Sequence, residues 1–246
     1  MIPSERLGVN TLLARIGEGQ SSEVYLARVN TVVPDWSPLV AVKIPRRDVA
    51  VAGQQHDAWL ARQRRSMQLD HRNTPLIYEV DHGSEGTPFC IEQLVFGLPL
   101  SRIVARSGTP LPSDVATAIA GSLAAALSYA HRKGVRHGAI TAARVLMHGD
   151  GTAQLRGFGR DTRSALTDDT NAAANLIGEL CETADTALQQ RVERLRACST
   201  PGALAQLDDA FMSPSSLSAC QRWLARAMPE QWVREALHLD ELEVAG

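Results

Sequence analysis

The stretch that decides the fold is Ile16-Gly17-Glu18-Gly19-Gln20-Ser21-Ser22-Glu23-Val24-Tyr25-Leu26-Ala27. Glycine and serine are concentrated in its middle, where they favour a tight turn. Short apolar runs flank this turn, at Leu12–Ile16 before it and at Val24–Val29 after it. Runs of this length and spacing predict two β-strands joined by a turn.

The first hundred residues continue as short strands with one helix among them. Leu39–Ile44 predicts a third strand, because it is an apolar run that ends at a proline. Val49–Leu69 contains no proline and predicts a helix, although Gly53 weakens its first turns. Leu76–Val80 and Phe89–Val95 predict two further strands.

After Leu100 the pattern becomes helical. Pro112–Arg132 is rich in alanine and leucine and predicts one long helix that begins at its proline. Val145–Met147 and Ala153–Leu155 are short apolar runs on either side of Gly149-Asp150-Gly151, which predicts a β-hairpin. The final third of the chain is again helical and is punctuated by prolines.

Several segments, in order and at sensible spacing, resemble the protein kinases in their bacterial serine/threonine form. The glycine-rich turn is followed by Ala41-Val42-Lys43-Ile44, which is similar to the kinase strand Val-Ala-Ile-Lys. Leu127–Ile140 resembles the end of a long helix that runs into the catalytic loop, and Leu155–Gly159 falls where the Asp-Phe-Gly motif belongs.

This resemblance implies an α+β, two-lobed protein-kinase-like fold in a single domain, residues 1–246. An antiparallel, β-rich first lobe with one helix would occupy residues 1–97. A mainly helical second lobe with divergent C-terminal helices would occupy residues 98–246, and we place the boundary near Gly97–Leu100. Asp169, which resembles the first residue of a conserved pair in the central helix, follows Gly159 by only ten positions. The activation segment is therefore predicted to be very short.

The positions that carry kinase chemistry hold other residues here. In the kinase pattern the catalytic aspartate falls at Ala139, the metal-binding asparagine at Arg144 and the metal-binding aspartate at Gly157. Phosphoryl transfer uses metal ions on the phosphates and a carboxylate that orients the attacking hydroxyl. None of the three residues supplies an oxygen ligand, and Arg144 would repel a divalent cation. We therefore predict no catalytic residue, no metal site and no enzyme activity, which describes a pseudokinase.

The positions that bind nucleotide in the family match its pattern better than the catalytic positions do. Only two of the 25 lysine and arginine residues are lysine, and one of them, Lys43, lies at the phosphate-contact position. A compact ammonium suits that role. We expect no required cofactor, and ATP as a ligand that binds without Mg²⁺. The resemblance implies nucleotide-binding roles for Ile16, Gly17, Gly19, Val24, Ala41, Lys43, Glu92, Gln93 and Val95.

Glu92 would lie at the back of the nucleotide pocket, where an unpaired carboxylate is costly. The helix glutamate that pairs with the strand lysine in the family falls at Arg62, with Asp57 as the alternative if the helix is shifted. We hypothesise that Glu92 pairs with Lys43 or with Arg62 and so replaces the usual helix pairing.

Composition argues against several other classes of protein. A formal net charge of −2 gives no electrostatic reason to expect nucleic acid as a partner. No apolar run approaches the ~20 residues needed to span a bilayer, and no secretory signal begins the chain, so we expect no membrane insertion. The four cysteines are scattered, which indicates core residues rather than a zinc site. We expect a cytoplasmic protein, with a cytoplasmic fragment of a larger membrane protein as the alternative.

Three functions remain open at this point. The first is a pseudokinase that regulates or scaffolds another protein. The second is a divergent, active ATP-dependent kinase with displaced catalytic groups, using Asp150, Asp161 or Asp168 for metal. The third is a sensor that binds ATP without hydrolysis. Arg156 and Arg160 are expected to be solvated, with an acidic or phosphorylated partner as the alternative.

Overall fold

The computed structural model describes residues 6–30, 38–46, 53–83, 86–108, 110–160, 165–181, 185–211 and 213–239. Contacts divide these residues into two compact units. The first unit holds the described residues up to 68, those from 75 to 95 and those from 234 onward, and the second holds 69–74 and 96–233. The division between Val95 and Phe96 lies slightly earlier in the chain than the predicted boundary, because Gly97–Pro99 pairs with a strand of the second unit.

The first unit is built on an antiparallel sheet of six described strands in the order β1-β2-β3-β4-β6-β5. The strands expected from the sequence are present, and the two-residue strand β1 is added at one edge. Alternating burial along β2 and β3 reflects a sheet with one face packed on the core. The strands are β1 (Arg6–Leu7), β2 (Asn10–Glu18), β3 (Ser22–Val29), β4 (Leu39–Pro45), β5 (Ile77–His82) and β6 (Pro88–Gln93).

Helix α1, Gly53–Ser66, packs on this sheet. Its Trp59 and Leu60 form a buried cluster with Cys90 of β6. The Trp59 indole N–H also donates a 2.8 Å hydrogen bond to the hydroxyl of Ser22 at the start of β3. The sequence predicts that this helix begins at residue 49, but 47–52 lie outside the described residues.

The second unit contains a small antiparallel sheet of three described strands, β7 (Gly97–Pro99), β8 (Val145–His148) and β9 (Ala153–Leu155). β8 and β9 are the predicted hairpin. The segment 69–74 joins this unit because Asn73 bonds to β9 on both sides: its carbonyl accepts from the Leu155 N–H, and its side-chain amide donates to the Ala153 carbonyl, each at 2.8 Å.

Helices form the rest of the second unit around α3, which is buried along most of its 20 residues. Two of the predicted proline breaks are the first residues of helices, the position where proline is best tolerated. No helix in the described part of the chain is long and apolar enough to cross a membrane. The helices are α2 (Leu100–Ser107), α3 (Ser113–Arg132), α4 (Leu166–Leu180), α5 (Thr186–Arg196), α6 (Pro201–Phe211), α7 (Pro214–Ala227) and α8 (Glu230–Ala236), the last of which begins in this unit.

Candidate functional site

A buried ion pair in the first unit involves the lysine singled out from the sequence. β4 and β6 are antiparallel, with Ala41 opposite Glu92, so Lys43 and Glu92 are diagonal neighbours on one face of the sheet. The Lys43 ammonium lies 4.0 Å from the Glu92 carboxylate, and each side chain is only 10% exposed. The hypothesis that Glu92 pairs with Lys43 is confirmed.

Glu92, on β6, supplies the carboxylate of this ion pair. Asp57 is exposed on α1, and its assignment as the alternative partner of the lysine stays a prediction. Cys90 lies directly across β4–β6 from Lys43. Burial raises the pKa of the Cys90 thiol above its usual range, and the charge of Glu92 raises that pKa further, so the thiol stays protonated beside the pair.

The glycine-rich turn is held tightly by its own backbone and by charged side chains. The Gly19 N–H donates a 2.8 Å hydrogen bond to the Ser22 carbonyl. Glu18 accepts hydrogen bonds from Arg46, at 2.6 Å, and from Arg15, at 3.3 Å. Exposed pairs such as these contribute little stability, but they fix the turn against the end of β4.

The predicted nucleotide residues on β2, β3 and β4 are brought onto neighbouring strands. Gly17 lies opposite Val24, and a side-chain carbon at Gly17 would meet Val24 at ordinary contact distance. Val24 and Ala41 are buried, whereas Ile16 and Gly17 are partly exposed. These residues therefore provide an apolar surface beside the Lys43–Glu92 pair.

Gln93 and Val95 differ in what they offer a ligand. The Gln93 N–H donates a 2.8 Å hydrogen bond to the Leu76 carbonyl, and Gln93 is also paired with Val40 in the sheet. The Gln93 N–H is therefore engaged by Leu76, and the nucleotide-binding role of the backbone from Gln93 to Val95 stays a prediction. Val95 is buried, so it contributes apolar surface.

In the second unit, the buried carboxylate of Asp169 organises the loop that follows α3. It accepts hydrogen bonds from the backbone N–H groups of His137, at 2.9 Å, and Gly138, at 2.7 Å, and from the imidazole of His131, at 2.9 Å. Burial acts to raise the pKa of Asp169, but these hydrogen bonds outweigh it and hold the pKa below the usual value. Asp169 is thus an ionised structural group.

His137 is fully buried, as expected for a core histidine. Its Nδ1 accepts from the Ala139 N–H at 3.2 Å, so its Nε2 carries the proton and donates to the Arg156 carbonyl at 3.0 Å. The ring also meets Phe158 edge to face, with 4.9 Å between centroids. Burial lowers the pKa of His137 to about 4, and the ring is therefore neutral at pH 7.

Two of the three chemical positions, Arg144 and Gly157, lie at the start and the end of the β8–β9 hairpin. Arg144 ends a 3₁₀ turn, Ala142–Arg144, just before β8, and Gly157 follows β9. The Arg156 N–H donates to the Arg144 carbonyl at 2.9 Å, which closes the base of the hairpin. Gly157 has φ +90°, and a side-chain carbon on it would lie 2.9 Å from Nη1 of Arg144.

Similarity to known proteins identifies the family of this chain. The family model described as protein tyrosine and serine/threonine kinase matches residues 11–189. The chain belongs to this family.

Named relatives of this kinase-family chain agree with that assignment. A probable serine/threonine-protein kinase of Corynebacterium efficiens is 28% identical over 162 residues, which is 65% of this chain and 24% of that protein. CBL-interacting protein kinase 4 of Oryza sativa subsp. japonica is 30% identical over 154 residues, or 62% of this chain and 33% of that protein. The chain thus matches only about a quarter to a third of the length of these two relatives.

Solved structures agree with the kinase fold. The crystal structure of the Mycobacterium tuberculosis PknI kinase domain superimposes with a TM-score of 0.66 at 18% identity, covering 86% of this chain and 98% of that one. The α+β fold with an antiparallel first lobe and a helical second lobe is therefore confirmed. The short activation segment also agrees with the structure, because α4 begins at Leu166, seven positions after Gly159.

The prediction that the chain is not an enzyme is contradicted by these comparisons. The matching family is a family of kinases, and both curated relatives are named as kinases. The three substituted positions concern particular side chains and not the whole of the chemistry that a kinase fold supports.

Mg²⁺, which the family implies, does not fit the residues that this chain supplies. Ala139, Arg144 and Gly157 offer a methyl group, a guanidinium and a hydrogen atom where oxygen ligands are needed. Within the described residues, no group of three or more His, Cys, Asp or Glu side chains could hold a metal ion.

Two of the aspartates predicted as displaced metal ligands accept hydrogen bonds from nearby residues. Asp150 accepts from the backbone and hydroxyl of Thr152 at the tip of the hairpin, at 2.9 and 2.7 Å. Asp168 accepts from the Ala165 N–H at 2.9 Å and caps α4. Neither aspartate belongs to a group of three or more possible metal ligands in the described part of the chain, so the structure gives these two assignments no support, and Asp161 lies outside the described residues.

Two contacts near these positions were missed from the sequence. One is the Trp59–Ser22 hydrogen bond, in which Ser22 stands where the family has its third glycine. The other is the approach of the Arg144 guanidinium to Gly157. The signal in each case was a departure from the family pattern, but its meaning required knowing which distant residue it faces.

Proposed function

We propose that this chain is a divergent ATP-dependent protein kinase, in which the first unit binds the nucleotide and the catalytic groups differ from those of the family pattern. The observation that carries the proposal is the buried Lys43–Glu92 pair. An ammonium is costly to bury, and a carboxylate beside it keeps it charged. The arrangement supports a role for Lys43 as a positioned phosphate contact.

The neighbouring residues support nucleotide binding by the same unit. Ile16, Val24 and Ala41 supply apolar surface for a base, and Gly17 and Gly19 keep the turn free of side chains. The Glu92 partner of Lys43 lies on β6, so this ion pair joins two neighbouring strands of the sheet.

Slow phosphoryl transfer is the activity that we expect. Positioning and charge stabilisation supply most of the catalysis in this class, and an arginine can stabilise the charge of the transition state. Loss of a general base costs about 10²–10⁴-fold in rate, so turnover should be slower than that of typical kinases by about that factor. The proposed phosphoryl acceptor is another protein, as the family and the names of the relatives suggest.

The test compares the wild-type chain with Lys43→Met and Lys133→Met. These are the two lysines of the chain, and Lys133 is exposed at the end of α3, so it is a matched control. Radiolabelled ATP is incubated with enzyme at stoichiometric concentration and a mixed protein acceptor, with Mg²⁺ and separately with EDTA. Binding is measured in parallel by calorimetry.

We expect binding and slow label transfer in the wild type and in Lys133→Met, and loss of both in Lys43→Met. Binding without transfer above the Lys43→Met level in either condition would overturn the catalytic part of the proposal. Equal binding by all three proteins would overturn the role of Lys43.

A further inference from the structure

The base of the β8–β9 hairpin brings together two of the substituted kinase positions. The backbone of the Ala142–Arg144 turn is fixed by the Arg144 N–H donating to the Thr141 carbonyl at 2.9 Å, and Arg144 in turn accepts from Arg156. The hairpin register places Val145 opposite Leu155, so Arg144 and Arg156 are the next residues outward on the two strands. Gly157 follows directly and faces the Arg144 side chain.

The guanidinium occupies the space into which a side chain at position 157 would project. A Cβ there would lie 2.9 Å from Nη1 and 3.9 Å from Cζ of Arg144. A side chain on Gly157 would therefore require the end of the Arg144 side chain to shift.

The charge of this part of the chain is positive. Residues 136–160 contain four arginines and one aspartate, a balance of 4 − 1 = +3, and the ionised Asp169, which accepts from the backbone of His137 and Gly138, lowers the balance to 3 − 1 = +2. The aspartate within this range, Asp150, lies in the turn at the opposite end of the hairpin and is engaged by Thr152. His137 is neutral, and the charges of Arg144 and Arg160 contribute to that by lowering its pKa. A divalent cation would be repelled here, whereas a polyanion would be attracted.

We propose that the Arg144 guanidinium takes the place of the divalent cation of protein kinases and binds the phosphate chain of a metal-free polyphosphate ligand. Arginine binds phosphate oxygens through two parallel hydrogen bonds and is always charged, so it neutralises the phosphates without a metal. Mg²⁺ already bound to the phosphates would meet the guanidinium as a like charge. Free polyphosphate should therefore bind more tightly than its Mg²⁺ complex.

Two classes of ligand carry such a phosphate chain, nucleotides and inorganic polyphosphates. The inference concerns the second unit, in which Arg144 lies, and holds for either ligand without the first unit. ATP and inorganic triphosphate are therefore both used as probes, on the complete chain, with EDTA and with excess Mg²⁺.

The first set of measurements is calorimetric titration of the wild type, Arg144→Gln and Arg222→Gln. Arg222 is an exposed arginine on α7 and controls for the loss of one positive charge. In EDTA we expect Arg144→Gln to weaken binding by about tenfold or more, the effect of losing a hydrogen-bonded charge. Arg222→Gln should bind as the wild type does, and Mg²⁺ should weaken wild-type binding.

The second set uses Arg144→Asn/Gly157→Asp, which restores both metal ligands of the family. Aspartate tolerates the positive φ of position 157 better than most residues do, and a melting curve checks that the variant is folded. We expect its binding to require Mg²⁺, the reverse of the wild-type preference.

Each outcome separates this inference from the proposed function. Wild-type binding that occurs only with Mg²⁺, or equal affinity of wild type and Arg144→Gln in EDTA, overturns the inference and leaves the role of Lys43 standing. Binding of inorganic triphosphate without ATP binding supports the inference and overturns the proposed function. Absence of binding to both probes overturns both.

Discussion

Lys43 and Glu92 form a buried ion pair in the first unit. Glu92→Gln keeps the shape of the side chain but removes the negative charge that compensates the Lys43 ammonium in a setting that is 90% shielded from water. Because a buried charge that loses its compensation is destabilising, we expect the free energy of unfolding to fall by about 1–3 kcal/mol. Thermal unfolding followed by circular dichroism measures this as a lower Tm.

Two further variants test whether the loss comes from the pair. Glu193→Gln removes a carboxylate from an exposed position on α5 and should leave Tm unchanged. Lys43→Met/Glu92→Gln removes both charges, so its destabilisation should be smaller than the sum of the two single variants. An unchanged Tm in Glu92→Gln would contradict the interpretation of the pair as a buried, interacting one.

The sequence predicts site residues that lie in a local motif, but it does not predict contacts that depend on strand register. Lys43 could be found because it lies within a local motif. The partner of Glu92 was left open between Lys43 and Arg62, because it depends on the register of β4 against β6, strands that are nearly fifty residues apart. The approach of Arg144 to Gly157 depends similarly on the register of a hairpin and on one side-chain rotamer.

At the scale of secondary structure, a buried hydrogen bond joins α1 to the glycine-rich hairpin. The Trp59 N–H and the Ser22 hydroxyl are 2.8 Å apart, and both residues are buried. Trp59→Phe and Ser22→Ala each remove this hydrogen bond, so each should lower the free energy of unfolding by about 1 kcal/mol or more. Urea unfolding curves give the values.

A double-mutant cycle identifies the contribution of the contact itself. The double variant Ser22→Ala/Trp59→Phe should cost less than the sum of its parts by about 0.5–1.5 kcal/mol. Trp223→Phe, the same substitution on α7, provides the control for loss of an indole elsewhere. Strict additivity of the two single variants would show that the hydrogen bond contributes nothing to the free energy of unfolding.

Elements with strong local signals were predicted well, and those without were missed. The long helix Ser113–Arg132 and the β8–β9 hairpin follow from periodicity, from a proline at the start and from glycines in the turn. Strands β1 and β7 contain only two and three residues, too few for any alternation to be seen. They exist because neighbouring strands pair with them, which is a property of the tertiary structure.

For the whole molecule, pH links the buried loop of the second unit to stability. His137 has a pKa lowered from its usual 6.5 to about 4, because burial disfavours its charged form. Between these two values the unfolded chain binds a proton that the folded chain does not, so stability decreases as pH falls from about 6.5 to about 4. Asp169 acts below this window, because its lowered pKa contributes stability that is lost only as pH falls below 3.8.

We therefore expect the free energy of unfolding to fall by up to about 3 kcal/mol between pH 7 and pH 4 through His137 alone. Urea midpoints measured at half-unit pH steps give the slope. His137→Gln retains hydrogen-bonding groups but cannot titrate, so it should be less stable at pH 7 and show a shallower slope between pH 6.5 and 4. His82→Gln removes a histidine whose side chain is 45% exposed, and it should keep the wild-type slope. Parallel pH profiles for the wild type and His137→Gln would show that the neutral, buried imidazole is not what limits the acid stability of this kinase domain.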